Sequence, residues 1–341
     1  MRTAELIAPM TFRLIDAPID VPGPGEVQVR VEAVGVCGSD LHAYSEGAVG
    51  STPNVYPMVL GHEPAGVIVK TGSGVSGLAP GDRGALEPAL YCYHCEFCLT
   101  GHHNVCANIR FLSNPGHPGF FREVVNLPVA NFRPIPANMG FDAATLAEPL
   151  AIAMHSLRLT SIRHGETVAV IGAGPIGLMT IAALRAAGAG RVWAVEPLAH
   201  RRELALEIGA GAALEPEEAI EEILIATGQR GVDCAIDCAA GAETTNQAVM
   251  LARAAGRVAI TGIHSTPSVA MDGSAMRRKE LTIFNVRRSN HETDEALELL
   301  RTNAAWFMPV LTHSRQLDRI DDAFAIASQY RDGVGKMIVR P

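Results

Sequence analysis

The stretch Thr167-Val-Ala-Val-Ile-Gly-Ala-Gly-Pro-Ile-Gly-Leu178 joins two apolar segments through a glycine-rich turn. The β-branched run Thr167 to Ile171 predicts a buried strand, and the apolar spacing from Leu178 to Ala187 predicts a helix. The turn between them fits the dinucleotide-binding fingerprint, in which glycines let backbone N–H groups reach a pyrophosphate. A glycine turn that binds nothing is the alternative, but the flanking strand and helix favour a nucleotide site. The expected cofactor contacts are Gly172, Gly174, Pro175, Ile176 and Gly177.

A second signal of nucleotide binding lies 24 residues after Gly172, where Glu196 ends the next predicted strand, Arg191 to Val195. A carboxylate at this place can accept hydrogen bonds from the adenosine ribose and would repel the 2′-phosphate of NADP. Arg201 and Arg202 oppose this signal, because either can attract a phosphate, although Arg202 is also explained by a solvated helix face. We expect NAD as the cofactor, with Arg201 among its contacts, and NADP as the less favoured choice.

The pattern of residue types along the chain changes near residue 150. Short β-branched runs among frequent Gly and Pro residues predict an irregular β-rich lobe over residues 1–150. From residue 151 to 286 strands alternate with Ala-rich helices, which is typical of a doubly wound parallel sheet. Residues 287–341 are too few for a domain, so we expect them to return to the first lobe. The predicted fold class is therefore α/β, a β-rich domain with a parallel-sheet nucleotide domain.

Composition excludes several functions. The 341 residues carry a formal net charge of −8, which disfavours binding to a phosphate backbone. The N-terminus lacks the pattern of a secretory signal, so we expect a cytoplasmic protein. An apolar stretch from Thr167 to Leu184 has the length of a membrane span, but its central Gly and Pro residues are better explained by a strand, a turn and a helix.

The most specific pattern is Cys92-x2-Cys95-x2-Cys98-x7-Cys106. Four sulfur donors this close can complete a tetrahedron around Zn²⁺ with no open position, which is typical of a structural site. An iron–sulfur cluster is the alternative. In ferredoxins with this spacing, however, the fourth cysteine follows after three residues and precedes Pro, whereas here Ala107 follows it. We therefore expect zinc, with the nearby His94, His102 and His103 as surface residues.

A second set of potential metal ligands is Cys37, His62 and Glu63, with Glu148 further along the chain. Mixed sulfur, nitrogen and oxygen donors with room for water would form a catalytic zinc site. Spacing alone does not distinguish such a site from core packing and surface polarity. The remaining cysteines, Cys234 and Cys238, fall on a predicted buried strand and are expected to act as small apolar residues.

Several motifs, taken in order, resemble those of the zinc-dependent medium-chain dehydrogenases. They are Gly35-Val-Cys-Gly-Ser-Asp-Leu-His42, Gly61-His-Glu-Pro-Ala-Gly66, Gly81-Asp-Arg83, the four-cysteine loop, Glu148-Pro-Leu150, Gly172-Ala-Gly-Pro-Ile-Gly-Leu178 and Gly335-Lys-Met-Ile338. These motifs are most similar to those of the sorbitol (polyol) dehydrogenase branch and next most similar to those of the threonine dehydrogenases. The resemblance implies a GroES-like catalytic domain built from both chain ends, a Rossmann domain between them and an active site in a cleft.

The same resemblance implies roles for individual residues. Cys37 and His62 become catalytic zinc ligands, Glu63 a direct or intermittent third ligand, and Glu148 either a ligand or a holder of the zinc-bound water. Ser39 and His42 match the family's proton-relay positions. The four loop cysteines match its structural zinc site. One catalytic and one structural zinc per chain are therefore expected.

Substrate selection is where the sequence departs from the polyol pattern. Ala43 replaces the aromatic residue that usually follows the relay histidine, with Tyr44 one place later, and Arg288 stands where a tyrosine is usual. The substrate contacts we expect are Tyr44, Phe111, Arg287 and Asn290.

The expected function is oxidation of a secondary alcohol, a polyol or sugar alcohol, by NAD. The alternatives are a threonine or other 2-hydroxy-substrate dehydrogenase and a non-catalytic NAD-binding protein. Family members are usually dimers or tetramers, and a homotetramer is expected.

Overall fold

The computed structural model of the protein describes all 341 residues. The chain separates into two compact units. Unit 1 comprises Met1–Glu148, Thr293–Ala304 and Leu311–Pro341, and unit 2 comprises Pro149–Glu292 and Ala305–Val310. The functional division at residues 150 and 286 remains a prediction.

The first 148 residues of unit 1 consist mainly of short strands. These strands are β1 (Arg2–Ala8), β2 (Thr11–Asp16), β3 (Glu26–Gly35), β4 (Ala48–Val49), β5 (Thr52–Pro53), β6 (Glu63–Thr71), β7 (Arg83–Leu86), β8 (Ala89–Leu90), β9 (Arg110–Phe111), β10 (Val124–Pro128) and β11 (Phe132–Pro134). The helices here are α1 (Gly38–Glu46), α2 (Glu96–Leu99) and α3 (Phe141–Thr145), with 3₁₀ turns at His103–Val105 and Val129–Asn131. Frequent Gly and Pro residues keep the elements short.

Unit 2 alternates strands with helices after α4 (Ala147–Thr160). Its strands are β12 (Val168–Ile171), β13 (Val192–Val195), β14 (Ala212–Leu214), β15 (Val232–Asp237), β16 (Ala252–Ile260) and β17 (Thr282–Asn285). Its helices are α5 (Pro175–Ala186), α6 (Ala199–Ile208), α7 (Pro216–Ala226), α8 (Thr244–Leu251) and α9 (Gly273–Lys279). All six strands are parallel, in the order β14-β13-β12-β15-β16-β17. The strand order therefore reverses between β12 and β15, the place where such sheets bind ligands.

The chain end contributes to the sheet of unit 1. The remaining elements are α10 (Thr293–Thr302), α11 (Ala304–Phe307), β18 (Leu311–Gln316), α12 (Ile320–Ser328) and β19 (Lys336–Arg340), with 3₁₀ turns at Met308–Val310 and Leu317–Arg319. The seven-stranded sheet of unit 1 runs β11-β7-β6-β3-β19-β18, and β10 also pairs with β3. Since β3 lies between β6 and β19, the start of β19 is brought close to the start of β6.

Each unit buries its own apolar core. In unit 1 the cluster includes Val27, Val29 and Val31 of β3 together with Phe324 of α12. In unit 2 every residue of β15 is buried, as expected for a central parallel strand covered on both faces. The apolar stretch from residue 167 to 184 divides into β12, the glycine turn and α5. None of the helices has both the length and the apolar character needed to cross a bilayer.

Candidate active site

The four cysteines of the loop between β8 and β9 converge on one point. Their sulfur atoms are separated by 3.5 Å between Cys92 and Cys106, 3.9 Å between Cys95 and Cys106, and 4.0 Å between Cys92 and Cys98. A tetrahedron with Zn–S bonds of about 2.3 Å has edges of about 3.8 Å. The group therefore fits a zinc ion with four sulfur ligands.

Backbone groups favour the thiolate form, which a metal requires, at Cys92 and Cys95, whereas burial raises the pKa of Cys98 to about 12. The backbone N–H of Cys95 donates to the sulfur of Cys92 across 3.4 Å, and that of Cys92 donates to the sulfur of Cys106 at the same distance. Hydrogen bonding from the backbone N–H of His94 is the main cause that lowers the pKa of Cys92 to about 5. All seven cysteines are free of disulfides, so the four sulfurs are available as ligands.

A second convergent group in unit 1 consists of Cys37, His62 and Glu63, whose potential ligand atoms all lie within 4.8 Å of one another. Cys37 caps the N-terminus of α1, and Glu63 begins β6. Both oxygens of Glu63 are buried, and Oε1 has no hydrogen-bond donor. A buried acceptor of this kind calls for a cation, so the sulfur, nitrogen and oxygen donors here fit a zinc site.

Asp40, in the first turn of α1, orients the imidazole of His62. Its buried carboxylate accepts hydrogen bonds from the backbone N–H groups of Cys37 and Gly61, each at 3.1 Å, and lies 3.3 Å from Nδ1 of His62. Burial alone would lower the pKa of His62, but the charges of Asp40 and Cys37 outweigh it and raise the pKa well above its ordinary value. Because Nδ1 faces Asp40, Nε2 is the nitrogen available to a metal. Sequence reasoning missed this residue.

Lys336 is the second functional residue that sequence reasoning missed. Its ammonium forms an ion pair with Oε2 of Glu63, and both side chains are fully buried. Burial would lower the pKa of Lys336, but Glu63, Cys37 and Glu148 raise it, so the lysine stays charged. Gly35 makes room for the pair, since a Cβ there would overlap Oε2 of Glu63 and lie 2.8 Å from Cε of Lys336.

The two proposed relay residues lie on α1, the helix that starts at Cys37. The hydroxyl of Ser39 is 3.4 Å from Nε2 of His62, which places it at the metal group. His42 lies one turn further along the helix, partly exposed, with Nδ1 2.7 Å from a carboxylate oxygen of Glu46. Glu148 is close enough to Lys336 to influence its pKa.

The predicted substrate contacts are distributed unevenly. Phe111 packs its ring 5.4 Å from the ring of His62, so it lies at the metal group. Tyr44 is not accessible to a substrate. It is only 3% exposed, and its ring packs in the core against Phe12 and Phe324. Arg287 and Asn290 follow β17 in unit 2.

The glycine turn of unit 2 has the geometry of a phosphate cradle. Gly172 has a φ of +87°, which favours glycine, and a Cβ there would lie 2.8 Å from that of Ala239. A Cβ on Gly177 would overlap the carbonyl oxygen of Gly172. Gly174 caps α5, and Pro175 occupies its first turn. The glycines therefore keep Cβ atoms away from the N-terminus of α5, where a pyrophosphate would approach.

Glu196 lies beside this turn with its carboxylate fixed by the backbone. One oxygen accepts from the N–H of Ala173 at 2.8 Å and the other from the N–H of Leu198 at 3.1 Å. Arg202 is used structurally, because it donates to two backbone carbonyls and pairs with Glu215. Arg201 approaches the turn instead, with Nη1 3.7 Å from the place of a Cβ on Gly174.

The two remaining cysteines belong to the interior of unit 2. Burial raises the pKa of Cys234 and of Cys238 to about 12. Their thiols therefore stay protonated, as expected for small apolar residues.

The chain is similar to known proteins over nearly its whole length. Two family models match the chain, an alcohol dehydrogenase GroES-like domain over residues 23–137 and a zinc-binding dehydrogenase domain over residues 175–302. Sorbitol dehydrogenase of Bacillus subtilis (strain 168) is 31% identical, with 100% of this chain and 97% of that protein covered. Human sorbitol dehydrogenase is 35% identical, covering 97% and 93%. L-idonate 5-dehydrogenase of Vitis vinifera is 32% identical, covering 91% and 86%.

Solved structures extend the likeness to the whole fold. A protein described as a zinc-binding dehydrogenase of Sinorhizobium meliloti 1021, bound to NADP, has a TM-score of 0.92 and 32% identity, covering 100% of this chain and 99% of its own. An alcohol dehydrogenase of Escherichia coli CFT073 in complex with NADH has a TM-score of 0.91 and 29% identity, with the same coverage.

Proposed function

Because this chain belongs to the zinc-dependent medium-chain dehydrogenases, in the branch that contains the sorbitol dehydrogenases, we propose that it oxidises a secondary alcohol of a polyol or sugar alcohol with NAD. The observation that carries this proposal is the convergence of Cys37, His62 and Glu63, whose potential ligand atoms lie within 4.8 Å of one another, with His62 and Glu63 buried. A purely cofactor-binding protein has no physical need for such a set of ligands.

The chain's own residues divide the work of the reaction. When bound, the two cofactors supply Lewis acidity at the alcohol oxygen and an acceptor for the hydride. Cys37, His62 and Glu63 would hold the metal, with Glu148 beside them, and Asp40 keeps Nε2 of His62 directed to it. Ser39 would take the hydroxyl proton, and His42, partly exposed, would pass it to solvent.

Cofactor choice follows from the fixed carboxylate of Glu196. NAD presents ribose hydroxyls that this carboxylate can accept, whereas the 2′-phosphate of NADP would be repelled. The preference for NAD is measured as the ratio of kcat/KM for NAD to kcat/KM for NADP. We expect Glu196→Ala to lower this ratio by about tenfold. Glu203→Ala, on the helix that follows, is the matched control and should leave the ratio unchanged. An unchanged ratio in Glu196→Ala would reject this assignment.

A sugar acid is the second candidate substrate. The observation that favours it is the adjacent pair Arg287 and Arg288 after β17, because two guanidinium groups can bind a carboxylate. The likeness to L-idonate 5-dehydrogenase agrees with this reading.

The experiment that tests the function is NADH formation across a panel of sugar alcohols, sugar acids, L-threonine and simple alcohols. The proposal predicts the highest kcat/KM for a polyol or sugar alcohol. A preference for a sugar acid would support the second candidate, and one for L-threonine the threonine dehydrogenases. Dinucleotide binding without turnover of any alcohol would reject an enzymatic role.

Three further assignments belong to the same proposal. We assign catalysis to residues 1–150 and 287–341 and cofactor binding to residues 151–286. A homotetramer is proposed because members of the family are usually dimers or tetramers, and a cytoplasmic location is proposed with it. Sedimentation analysis of the purified protein tests the tetramer.

A further inference from the structure

A chain of three buried or half-buried polar groups lies at the carboxyl ends of β15 and β16. Asp237, the last residue of β15, is fully buried. Its Oδ1 accepts from the backbone N–H groups of Ala239 and Ala240 at 3.0 and 2.9 Å. Its Oδ2 accepts from the hydroxyl of Thr245 at 2.6 Å, and the same hydroxyl oxygen is 2.9 Å from Nε2 of His264. The three side chains therefore form a continuous hydrogen-bonded line.

The direction of each hydrogen bond in this line follows from which side-chain groups can donate a proton. An ionised carboxylate only accepts, so the single hydroxyl proton of Thr245 is given to Asp237. Thr245 can then only accept from His264, which places a proton on Nε2 of the imidazole. In the neutral ring, Nδ1 is consequently an acceptor, and it has no hydrogen-bond partner in the chain. The ring is half-buried, so a ligand can reach this nitrogen.

The position of this acceptor connects it to the nucleotide turn. A Cβ on Gly172 would lie 2.8 Å from Cβ of Ala239, and a Cβ on Gly262 would lie 2.7 Å from Cβ of Ala240. The loop after β15 is therefore packed between the glycine turn and the loop after β16 that carries His264. All three loops leave the carboxyl edge of the same sheet, on either side of the point where the strand order reverses.

A dinucleotide bound at this edge must extend away from Glu196. The adenosine ribose belongs with Glu196 at the end of β13, which leaves the other nucleoside to continue past the reversal point toward β15 and β16. This half presents two kinds of hydrogen-bond donor, the ribose hydroxyls and the carboxamide N–H groups of the nicotinamide. The ribose is joined directly to the pyrophosphate, so its hydroxyls lie nearer the glycine turn, and a neutral imidazole nitrogen can accept from them. This step rests on the proposed function, because it presumes that the glycine turn binds a dinucleotide.

We propose that Nδ1 of His264 accepts a hydrogen bond from a hydroxyl of the nicotinamide ribose, with Thr245 and Asp237 as positioning residues that hold the imidazole ring in its Nε2–H form.

Binding of cofactor fragments to the intact protein tests this proposal without any turnover. NADH and ADP-ribose both carry the distal ribose, whereas ADP lacks it. We expect His264→Ala to bind NADH and ADP-ribose about three- to tenfold more weakly than the wild type, with the affinity for ADP unchanged within about twofold. Calorimetry and NADH fluorescence give the dissociation constants. His313→Ala, which removes a histidine on β18 of unit 1, is the matched control.

A second pair of variants separates positioning from folding. Thr245→Val removes the hydroxyl that holds His264, so it should weaken the binding of NADH and ADP-ribose as His264→Ala does. Thr245→Ser keeps a hydroxyl and should bind both ligands with the affinity of the wild type. Equal affinities of the wild type and His264→Ala for all three ligands would overturn the proposal, as would an equal loss that includes ADP. Failure of the wild type to bind NADH would instead reject the proposed function.

Discussion

Two residues at the metal group, Asp40 and Lys336, show how buried charge organises a site. Neither side chain is one of the proposed metal ligands, yet each holds a residue that is. Asp40 fixes the imidazole of His62, and Lys336 neutralises Glu63 in a buried ion pair. The pair is balanced only while both charges remain, because a lone buried carboxylate is costly.

Replacing Lys336 with Met therefore isolates the charge on Glu63. We expect the variant, freed of metal, to lose about 3 to 5 kcal/mol of unfolding free energy, measured by urea denaturation. Lys70→Met, at an exposed position of β6, is the control and should change little. Adding Glu63→Gln to the Lys336 variant should recover most of the loss. A Lys336→Met protein as stable as the wild type would contradict the ion pair.

The sequence predicts the candidate metal ligands but not the residues that hold them in place. Cys37, His62 and Glu63 belong to motifs that can be read directly, and the structure brings them together. No sequence motif indicates the role of Lys336, because its partner depends on β19 lying beside β3. The sequence position of Tyr44 predicts a substrate contact, but the geometry of α1 directs its ring into the core.

At the scale of elements, predictions succeeded where a single periodicity dominates. The predicted strand Thr167 to Ile171 agrees with β12 to within one residue, because a strand buried on both faces is continuously apolar. The hairpin of β1 and β2 has no such signal, since β2 is exposed or half-buried at every residue. The nine-residue α1 was also missed, because its apolar positions are too few to show a helical period.

The junction of β12 and β15 depends on one carboxylate. Asp233 accepts from the N–H and hydroxyl of Thr167 and pairs with Arg230 and Arg253 at 2.6 and 2.7 Å. Burial would raise the pKa of Asp233, but the hydrogen bonds from Arg230, Thr167 and Arg253 hold it well below the ordinary value. Because the pKa in the folded protein lies below that of the unfolded chain, about 3.9, this stabilisation is complete above that pH and is lost as the pH falls further.

We accordingly expect Asp233→Asn to lower the unfolding free energy by about 1 to 3 kcal/mol at pH 7. The difference from the wild type should persist down to about pH 5 and shrink below about pH 4. Urea denaturation at several pH values measures it, with the largely exposed Asp294→Asn as control. A difference that grows as the pH falls would contradict the assignment.

At the scale of the whole molecule, the candidate sites are divided between the two units. Unit 1 contains both candidate metal groups, and unit 2 contains the glycine turn, Glu196 and the line from Asp237 to His264. The C-terminal strands return to the sheet of unit 1, so the first and last parts of the chain share one core. The pattern of residue types predicts this alternation of β-rich and α/β regions. It does not predict that Ala305–Val310 belongs to unit 2, because that depends on long-range packing.

The four-cysteine loop should contribute stability to unit 1 instead of chemistry. Cys98→Ser removes one sulfur from a closed tetrahedral group, and structural zinc binding is folding free energy. We expect its thermal midpoint to fall by roughly 5 to 10 °C, while Leu99→Ser, at an exposed position of the same loop, leaves it nearly unchanged. Thermal unfolding followed by circular dichroism measures the shift. Equal midpoints for Cys98→Ser and the wild type would show that the loop needs no metal.

The most direct measurement is the zinc content of wild-type protein and Cys37→Ser, determined by mass spectrometry of the metal, together with NADH binding and turnover. Two zinc ions per chain are expected in the wild type and one in the variant, which should bind NADH normally but lose turnover. A variant that retains two zinc ions, or that oxidises alcohols at the wild-type rate, would contradict the assignment of Cys37, His62 and Glu63 as the catalytic metal group.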